Sequence, residues 1–174
     1  AASDCANAVT TMALAAQAYS RSFSEPAMVI GELNTYFHAI SGAIALNLFV
    51  GFLDVKKQEL LFSQAGGLPL YRFRQGEMTP FHLDIPPAGI IPPDMYRERL
   101  ASGRLALVPG DLCALITDGI LKVRDFDWEE RAGSLLAGSG MIGARVIAFR
   151  NALGEAAESC ALGDDIGALF FSLR

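Results

Sequence analysis

The chain has 174 residues; 52% are hydrophobic, 19% are charged, and 14 basic against 19 acidic side chains leave a formal net charge of −5. This length and apolar content allow one domain with a large core, which excludes disorder over most of the sequence. The acidic balance, with no basic cluster larger than Lys56-Lys57, argues against a nucleic-acid-binding protein. The longest apolar stretch, residues 40–53, is shorter than the roughly 20 residues that a membrane span needs.

The cysteines and the start of the chain indicate where the protein works. Cys5, Cys113 and Cys160 are odd in number and lack Cys-x-x-Cys spacing, so they predict reduced side chains in a cytoplasmic protein. No basic segment precedes an apolar run at the start, and no secretory signal is therefore predicted. The sequence begins without methionine and enters a helix-like segment almost at once, so we expect the first strands of the domain to be missing.

Helical patterns occupy the first part of the chain. Apolar residues at helical spacing predict a helix over residues 6–19, with Ser3 or Asp4 as its cap. Ser24 and Pro26 mark the start of a second helix. The apolar stripe of that second helix comprises Val29, Ile30, Leu33, Phe37 and Ile40.

After Gly42 the pattern changes to short apolar or alternating runs, which predict strands. The runs lie at 47–55, 59–64, 70–74, 78–83, 105–108 and 112–116, and the first three predict an antiparallel meander. Prolines make residues 85–93 a stiff loop. The remaining segments predict a flexible flap around Trp128 (123–139), a helix (141–153) and a final strand that is apolar on both faces (166–173). This order predicts an α+β fold with a mostly antiparallel sheet against helices.

Acidic residues stand at the ends of two predicted strands. Asp118, in a Thr-Asp-Gly motif, follows the run 112–116, and Asp164 and Asp165, in a Gly-Asp-Asp motif, precede the run 166–173. Each motif has two interpretations: a solvated turn with local hydrogen bonds, or oxygen ligands of Mg²⁺ or Mn²⁺. Adjacent carboxylates repel each other, and a divalent cation relieves that repulsion.

Five short motifs then follow one another along the chain. They are Ala-Gly-Gly-Leu-Pro (65–69), Pro-Ala-Gly-Ile-Ile (87–91), Leu-Val-Pro-Gly-Asp-Leu (107–112), Ile-Thr-Asp-Gly-Ile (116–120) and Gly-Asp-Asp-Ile (163–166). In this order they resemble the SpoIIE/RsbU-type phosphatases, the bacterial branch of the metal-dependent (PPM, protein phosphatase 2C-like) protein phosphatases. The resemblance covers nearly the whole chain, and its most specific part runs from Val-Pro-Gly-Asp to Thr-Asp-Gly.

The resemblance implies an α-β-β-α sandwich of two mostly antiparallel sheets with a binuclear Mn²⁺ or Mg²⁺ site. It also implies that a metal-activated water hydrolyses phosphoserine or phosphothreonine on a regulatory protein, such as a STAS-like anti-anti-sigma factor. Asp118 and Asp164 match ligands of the second metal, and Gly119 permits close backbone approach. A second copy of the chain, in a homodimer, is the other expected partner. We expect neither binding of nucleic acid nor insertion into a membrane.

The start of the chain departs from the family pattern. The early Gly-Gly-Asp-x-x-Asp motif has no counterpart, and residues 1–7 stand where Asp-x-x-Gly-His-Gly is expected. In one register Asp4 is the aspartate that bridges the metals; in the gap-free register it falls where the histidine usually lies. Asp4 as a helix cap alone is a third interpretation. Gly67 and Gly167 also replace a usual histidine and a usual threonine.

Three functions therefore stay open at the level of the sequence. The first is an active metal-dependent phosphatase whose site contains Asp4, Asp118 and Asp164. The second is a pseudophosphatase, in which the same fold binds a partner as an adaptor or sensor without turnover. The third is an α+β domain whose acids are only turn residues; the ordered series of motifs argues against it.

Overall fold

A computed structural model describes residues 17–19, 21–40, 44–67, 69–124, 126–158 and 166–173. The named helices of this part are α1 (Pro26–Ile40), α2 (Pro93–Arg97), α3 (Asp118–Leu121), α4 (Trp128–Leu136) and α5 (Ile142–Glu158). The strands are β1 (Leu48–Asp54), β2 (Glu59–Ala65), β3 (Leu70–Arg74), β4 (Glu77–Phe81), β5 (Gly103–Ala106), β6 (Leu112–Ile116) and β7 (Ala168–Phe171). Residues 17–19, 21 and 22 are also helical; the rest of the helix predicted over 6–19 lies outside the described residues.

The described residues divide into two compact units, each built on its own sheet. The first unit, up to residue 67 and from 83 to 106, contains a three-stranded sheet in the order β1-β2-β5. The second, residues 69–82 and from 107 onward, contains a four-stranded sheet in the order β4-β3-β6-β7. Every strand pairing within the described residues is antiparallel. The predicted α+β class with two mostly antiparallel sheets and flanking helices is confirmed.

The meander predicted for the first three strands is wrong. β1 and β2 form a hairpin, but β2 pairs on its other side with β5, and β3 belongs to the second sheet. The chain leaves the first sheet at Gly66, whose φ of +86° lies in the left-handed region. A Cβ at that position would collide with the Asn47 side chain. Short apolar or alternating runs mark the strands but carry no signal for a change of sheet.

Helix α1 provides the core of the first unit. Its residues Val29, Ile30, Leu33 and Phe37 are buried as predicted, whereas Ile40 is 60% exposed and is not part of the stripe. Ile40 is the last residue of α1, where the helix ends and no longer covers the sheet. The apolar spacing therefore predicts one buried position too many, at the end of the helix.

A buried asparagine on α1 holds the proline-rich loop in place. Asn34 is fully buried; its Nδ2 donates to the carbonyl of Ile91 at 3.1 Å, and its Oδ1 accepts from the Gly89 N–H at 2.8 Å. Leu46 and Ala88 exchange backbone hydrogen bonds, which attach the loop to the chain before β1. Residues 85–92 form no regular helix or strand, as predicted, whereas Pro93 already begins α2. Side-chain hydrogen bonds add to the restriction that proline imposes on this loop.

The segment predicted to be a flexible flap is instead part of the core of the second unit. Trp128 is only 4% exposed and packs with ring centroids 5.1 Å from Tyr71 and 5.4 Å from Phe149. It begins α4, which Asp127 caps by accepting from the Glu130 N–H at 3.0 Å. The glycines and acids in this segment suggested mobility, but burial of the large aromatic ring stabilises a helix here.

The last strand also differs from its prediction. β7 covers Ala168–Phe171 and pairs with β6, but Leu169 is 59% exposed, so the strand is not buried on both faces. By contrast, β3 and β6 have the predicted bounds.

Within the part of the chain that the structure describes, no helix combines the length and the apolarity of a membrane span.

Candidate active site

Hydrogen bonds hold the last residue of β6 and the first residue of β7 together, at one end of this strand pair. Ile116 pairs with Ala168 in the antiparallel register. One residue further on, the Thr117 N–H donates to the Gly167 carbonyl at 2.8 Å, and the Gly167 N–H donates to Thr117 Oγ1 at 2.8 Å. Asp118 follows this pair of hydrogen bonds directly. The Gly-Asp-Asp motif ends immediately before Ile166, so both acidic motifs adjoin the same junction in the sequence.

Gly167 has a steric reason to replace the larger residue that the family usually has. A Cβ at this position would lie 3.2 Å from Thr117 Cγ2, which is tighter than an ordinary van der Waals contact. Glycine therefore allows β7 to approach Thr117 closely and keep both hydrogen bonds. The departure from the family pattern at 167 fits the local packing of this chain.

Asp118 is the first residue of α3 and projects its carboxylate toward solvent. The helix is anchored by Ile120, which is fully buried in the core of the second unit, and Gly119 beside it is buried too. The Asp118 side chain is 47% exposed, and its Oδ2 accepts from Lys122 Nζ at 2.8 Å. The fold therefore fixes the backbone at Asp118, while the carboxylate is accessible to solvent and binds the ammonium of Lys122.

Lys122 is the residue of this site that the sequence interpretation missed. It lies four positions after Asp118, the spacing at which oppositely charged side chains meet on a helix. Its backbone N–H donates to the Gly119 carbonyl at 3.2 Å, so the main chain of Lys122 is held as well. The i,i+4 spacing was the available signal, although α3 is too short for apolar periodicity to predict a helix there.

Two of the predicted site residues lie outside the part that the structure describes. Asp4 and Asp164 belong to residues 1–16 and 159–165, and their roles stay predictions. Asp118 fits one ligand position of a hard divalent cation, because its oxygens are accessible and carry negative charge. Among the described residues no three His, Cys, Asp or Glu side chains come together, so Asp118 alone does not make a metal site.

Asp111, the acid of the Val-Pro-Gly-Asp motif, has a structural role. It is 1% exposed, and Arg74 binds it through two hydrogen bonds, Nε to Oδ1 at 2.7 Å and Nη2 to Oδ2 at 2.6 Å. The Val108 N–H also donates to Oδ2 at 2.9 Å, which closes the turn between β5 and β6. Burial acts to raise the pKa of Asp111, but the hydrogen bonds from Arg74 and Val108 outweigh it and hold that pKa below its usual range.

Cys113 does not have the properties of a nucleophile. It is 1% exposed within β6, and burial, together with the charge of Asp111, raises the pKa of its thiol to about 12. The thiol is therefore protonated near neutral pH, whereas nucleophilic attack needs the thiolate. Cys5 and Cys160 lie outside the described residues.

A family comparison decides what kind of domain carries these features. The family model of Stage II sporulation protein E (SpoIIE) matches residues 3–174. The chain belongs to the SpoIIE family. The resemblance found in its ordered motifs is confirmed, whereas a comparison with curated protein sequences gives no significant match.

Solved structures similar to this SpoIIE-family chain are PP2C-type phosphatase domains. The SiaA-PP2C domain of Pseudomonas aeruginosa has 21% identity and a TM-score of 0.72, over 94% of this chain and 70% of that one. The RsbU and RsbW domains of Rv1364c from Mycobacterium tuberculosis have 15% identity and a TM-score of 0.75, over 94% of this chain and 46% of that one. The phosphatase domain of SpoIIE from Bacillus subtilis has 14% identity and a TM-score of 0.56, over 95% of this chain and 72% of that one. The SpoIIE-family chain therefore has the fold of PP2C-type phosphatase domains.

Proposed function

We propose that this SpoIIE-family domain is a metal-dependent phosphatase that hydrolyses phosphoserine or phosphothreonine on a cytoplasmic regulatory protein. The observation that carries the proposal is the position of Asp118, directly after the hydrogen-bonded junction of β6 and β7. The Gly-Asp-Asp motif adjoins the same junction in the sequence. Acidic residues beside such a junction suit the binding of a divalent cation, and the family resemblance assigns both motifs that role.

The residues of the chain have separate tasks in this proposal. Asp118 and Asp164 would hold one divalent cation, and Asp4 would be a further ligand in the register that makes it the family's metal-bridging aspartate. Bound Mn²⁺ or Mg²⁺ supplies positive charge for the phosphoryl oxygens and acidifies a coordinated water. Thr117 is a positioning residue, because its hydroxyl accepts from Gly167 and fixes the backbone before Asp118. The thiol of Cys113 has no part in the reaction, since it is buried and protonated.

The substrate is proposed to be a regulatory protein that carries phosphoserine or phosphothreonine. The resemblance to SpoIIE/RsbU-type phosphatases points to STAS-like anti-anti-sigma proteins as the substrate class. Among the structural neighbours, one contains the RsbU and RsbW domains of Rv1364c, and another is described as a key regulatory component of T6SS. These neighbours support a regulatory role in signalling for the present domain.

The test compares hydrolysis of p-nitrophenyl phosphate and of a phosphoserine protein with and without Mn²⁺. Asp118→Asn keeps the size of the side chain but removes its charge, so we expect kcat/KM to fall by about two orders of magnitude. Asp94→Asn is the matched control, because the Asp94 side chain is 97% exposed, lies in the other unit and pairs with nearby Arg97 in a surface contact. Absence of Mn²⁺-dependent hydrolysis, or equal rates in the two variants, would contradict the proposal.

A second candidate function is a pseudophosphatase that binds a phosphoprotein without hydrolysing it. The contact that favours it is the one between Lys122 and Asp118, which places an ammonium on a proposed metal ligand. Binding of a phosphoprotein without Mn²⁺-dependent turnover, and without Mn²⁺ binding at millimolar concentration, would favour this function over the first.

A further inference from the structure

The ammonium of Lys122 occupies the carboxylate that the proposed function assigns to a divalent cation. Lys122 Nζ lies 2.8 Å from Asp118 Oδ2, a hydrogen-bonded ion pair. A divalent cation on the same carboxylate would be a few ångströms from the ammonium. Two positive charges at such a distance repel each other, even near the surface of a protein. The carboxylate therefore cannot serve both cations without a loss of affinity.

The geometry of α3 makes Lys122 an effective competitor. Its backbone is held by the hydrogen bond to Gly119 and by the burial of two nearby residues, Ile120 and Val123, which are 0% and 4% exposed. The tether keeps the ammonium at a high effective concentration beside Asp118. The Lys122 side chain itself is 58% exposed, so the ammonium has room to leave the carboxylate.

We propose that Lys122 is a built-in competitor that lowers the affinity of Asp118 for divalent cations and so sets the metal concentration at which the domain is loaded. The inference rests on the proposed function, because it requires that Asp118 is a metal ligand. It adds a regulatory property to that site: the ammonium must move away from Asp118 before the cation binds.

The decisive experiment measures Mn²⁺ binding by calorimetry, without any substrate, on the wild-type chain, on three single variants and on the double variant Lys122→Met/Asp118→Asn. In Lys122→Met the side chain keeps a similar length and loses its charge, and we expect Mn²⁺ affinity to rise by about threefold to tenfold. Lys57→Met is the matched control: Lys57 pairs with Asp54 at 3.5 Å in the other unit, and the same change in net charge should leave the affinity unaltered. Asp118→Asn removes the proposed ligand and should weaken binding in either background.

Salt concentration gives a second readout. Screening weakens the interaction between exposed charges, so the ratio of the affinities of Lys122→Met and wild type should shrink between 0.05 and 0.5 M salt, to about twofold or less. Circular dichroism spectra and melting curves without metal verify that the variants are folded, which the exposure of Lys122 leads us to expect.

The outcomes separate the two proposals. If wild type and Lys122→Met bind Mn²⁺ equally and both depend on Asp118, the competitor role is wrong and the metal site stands. Weaker binding by Lys122→Met would also overturn it, since the lysine would then support the site. If no variant binds Mn²⁺ at millimolar concentration, or if Asp118→Asn binds as wild type does, the metal role of Asp118 in the proposed function fails. If Lys57→Met also binds Mn²⁺ more tightly than wild type, the change in net charge explains the rise in affinity, and the specific role of Lys122 is overturned.

Discussion

At the scale of single residues, the Arg74–Asp111 pair fixes one turn of the second unit. Asp111 is almost completely buried, and the side chain of Arg74 is 32% exposed. A buried carboxylate is stable only while its partners are present, because it has lost its hydration. Arg74 and the Val108 N–H provide those partners, and the turn between β5 and β6 depends on them.

Removing the arginine should therefore destabilise the domain in a pH-dependent manner. We expect Arg74→Met to lower the free energy of unfolding at pH 7 by about 2–3 kcal/mol, because Asp111 is left buried without its cation. The pKa of Asp111 is lowered in the folded wild type, so its stabilising effect is present above its ordinary pKa and is lost as the pH falls through the folded pKa. The difference between variant and wild type should thus shrink below about pH 4.

Urea unfolding at several pH values measures this difference. Arg97→Met is the control, because Arg97 is 55% exposed and its partner Asp94 is 97% exposed. Such a surface pair should contribute less than about 1 kcal/mol. A cost of Arg74→Met no larger than that of the control, or a cost that does not change between pH 7 and pH 3, would contradict the role assigned to the pair.

At the scale of elements, the sequence predicts regular structure well where periodicity is long or turns are marked. The predicted bounds of β3 and β6 match the structure to the residue, because β3 mixes apolar and charged side chains, β6 is a short run of apolar side chains, and turn residues flank both. The helices α2 and α3 have five and four residues, too few to show a helical period. The location of α4 depends on burial of Trp128 against Tyr71 and Phe149, which are distant in sequence. Such tertiary contacts are not visible in a local pattern.

The β3–β4 hairpin and helix α5 give a prediction in which the same substitution has opposite effects. The hairpin turn consists of Gln75 and Gly76, with φ of +51° and +87°, as in a type I′ turn. Gly76→Ala should destabilise the domain by about 1 kcal/mol, because a Cβ is strained at that φ. Gly154→Ala, within α5, should stabilise it by about 0.5–1 kcal/mol, because alanine favours the helix and its Cβ meets no atom within 4 Å.

Chemical denaturation of the two variants measures both changes. Opposite signs are required, since the two glycines differ in backbone conformation and both have open space around the Cβ position. A stabilising effect of Gly76→Ala would show that the turn is not held in the left-handed region in solution.

At the scale of the whole molecule, the order of the motifs predicted more than any single motif did. It predicted the family, which the match over residues 3–174 confirms, and the two antiparallel sheets. It did not predict that Lys122 binds Asp118, because a resemblance transfers the roles of matching residues and gives no information on a neighbour that is specific to this chain. The resemblance alone assigns Asp4 and Asp164 to the site.

The role of Asp4 can be decided from the stability of the whole chain. A cation that binds only the folded state stabilises it by RT ln(1 + [L]/Kd), about 2.7 kcal/mol at a hundredfold excess over Kd. For a chain of this size we expect Mn²⁺ to raise the melting temperature by about 5–10 °C. Asp118→Asn should lose most of this increase, whereas the control Asp94→Asn should keep it.

Asp4→Asn distinguishes Asp4 as a metal ligand from Asp4 as a helix cap alone, because asparagine caps a helix about as well as aspartate but lacks the negative charge that a metal ligand supplies. If Asp4 bridges the metals, the variant should melt like wild type without metal and lose the increase that Mn²⁺ produces. If Asp4 only caps the first helix, the variant should match wild type in both conditions, and Asp4→Ala should melt lower in both. A full Mn²⁺ effect in Asp4→Asn would therefore remove Asp4 from the site and leave the cation to Asp118 and the Gly-Asp-Asp motif.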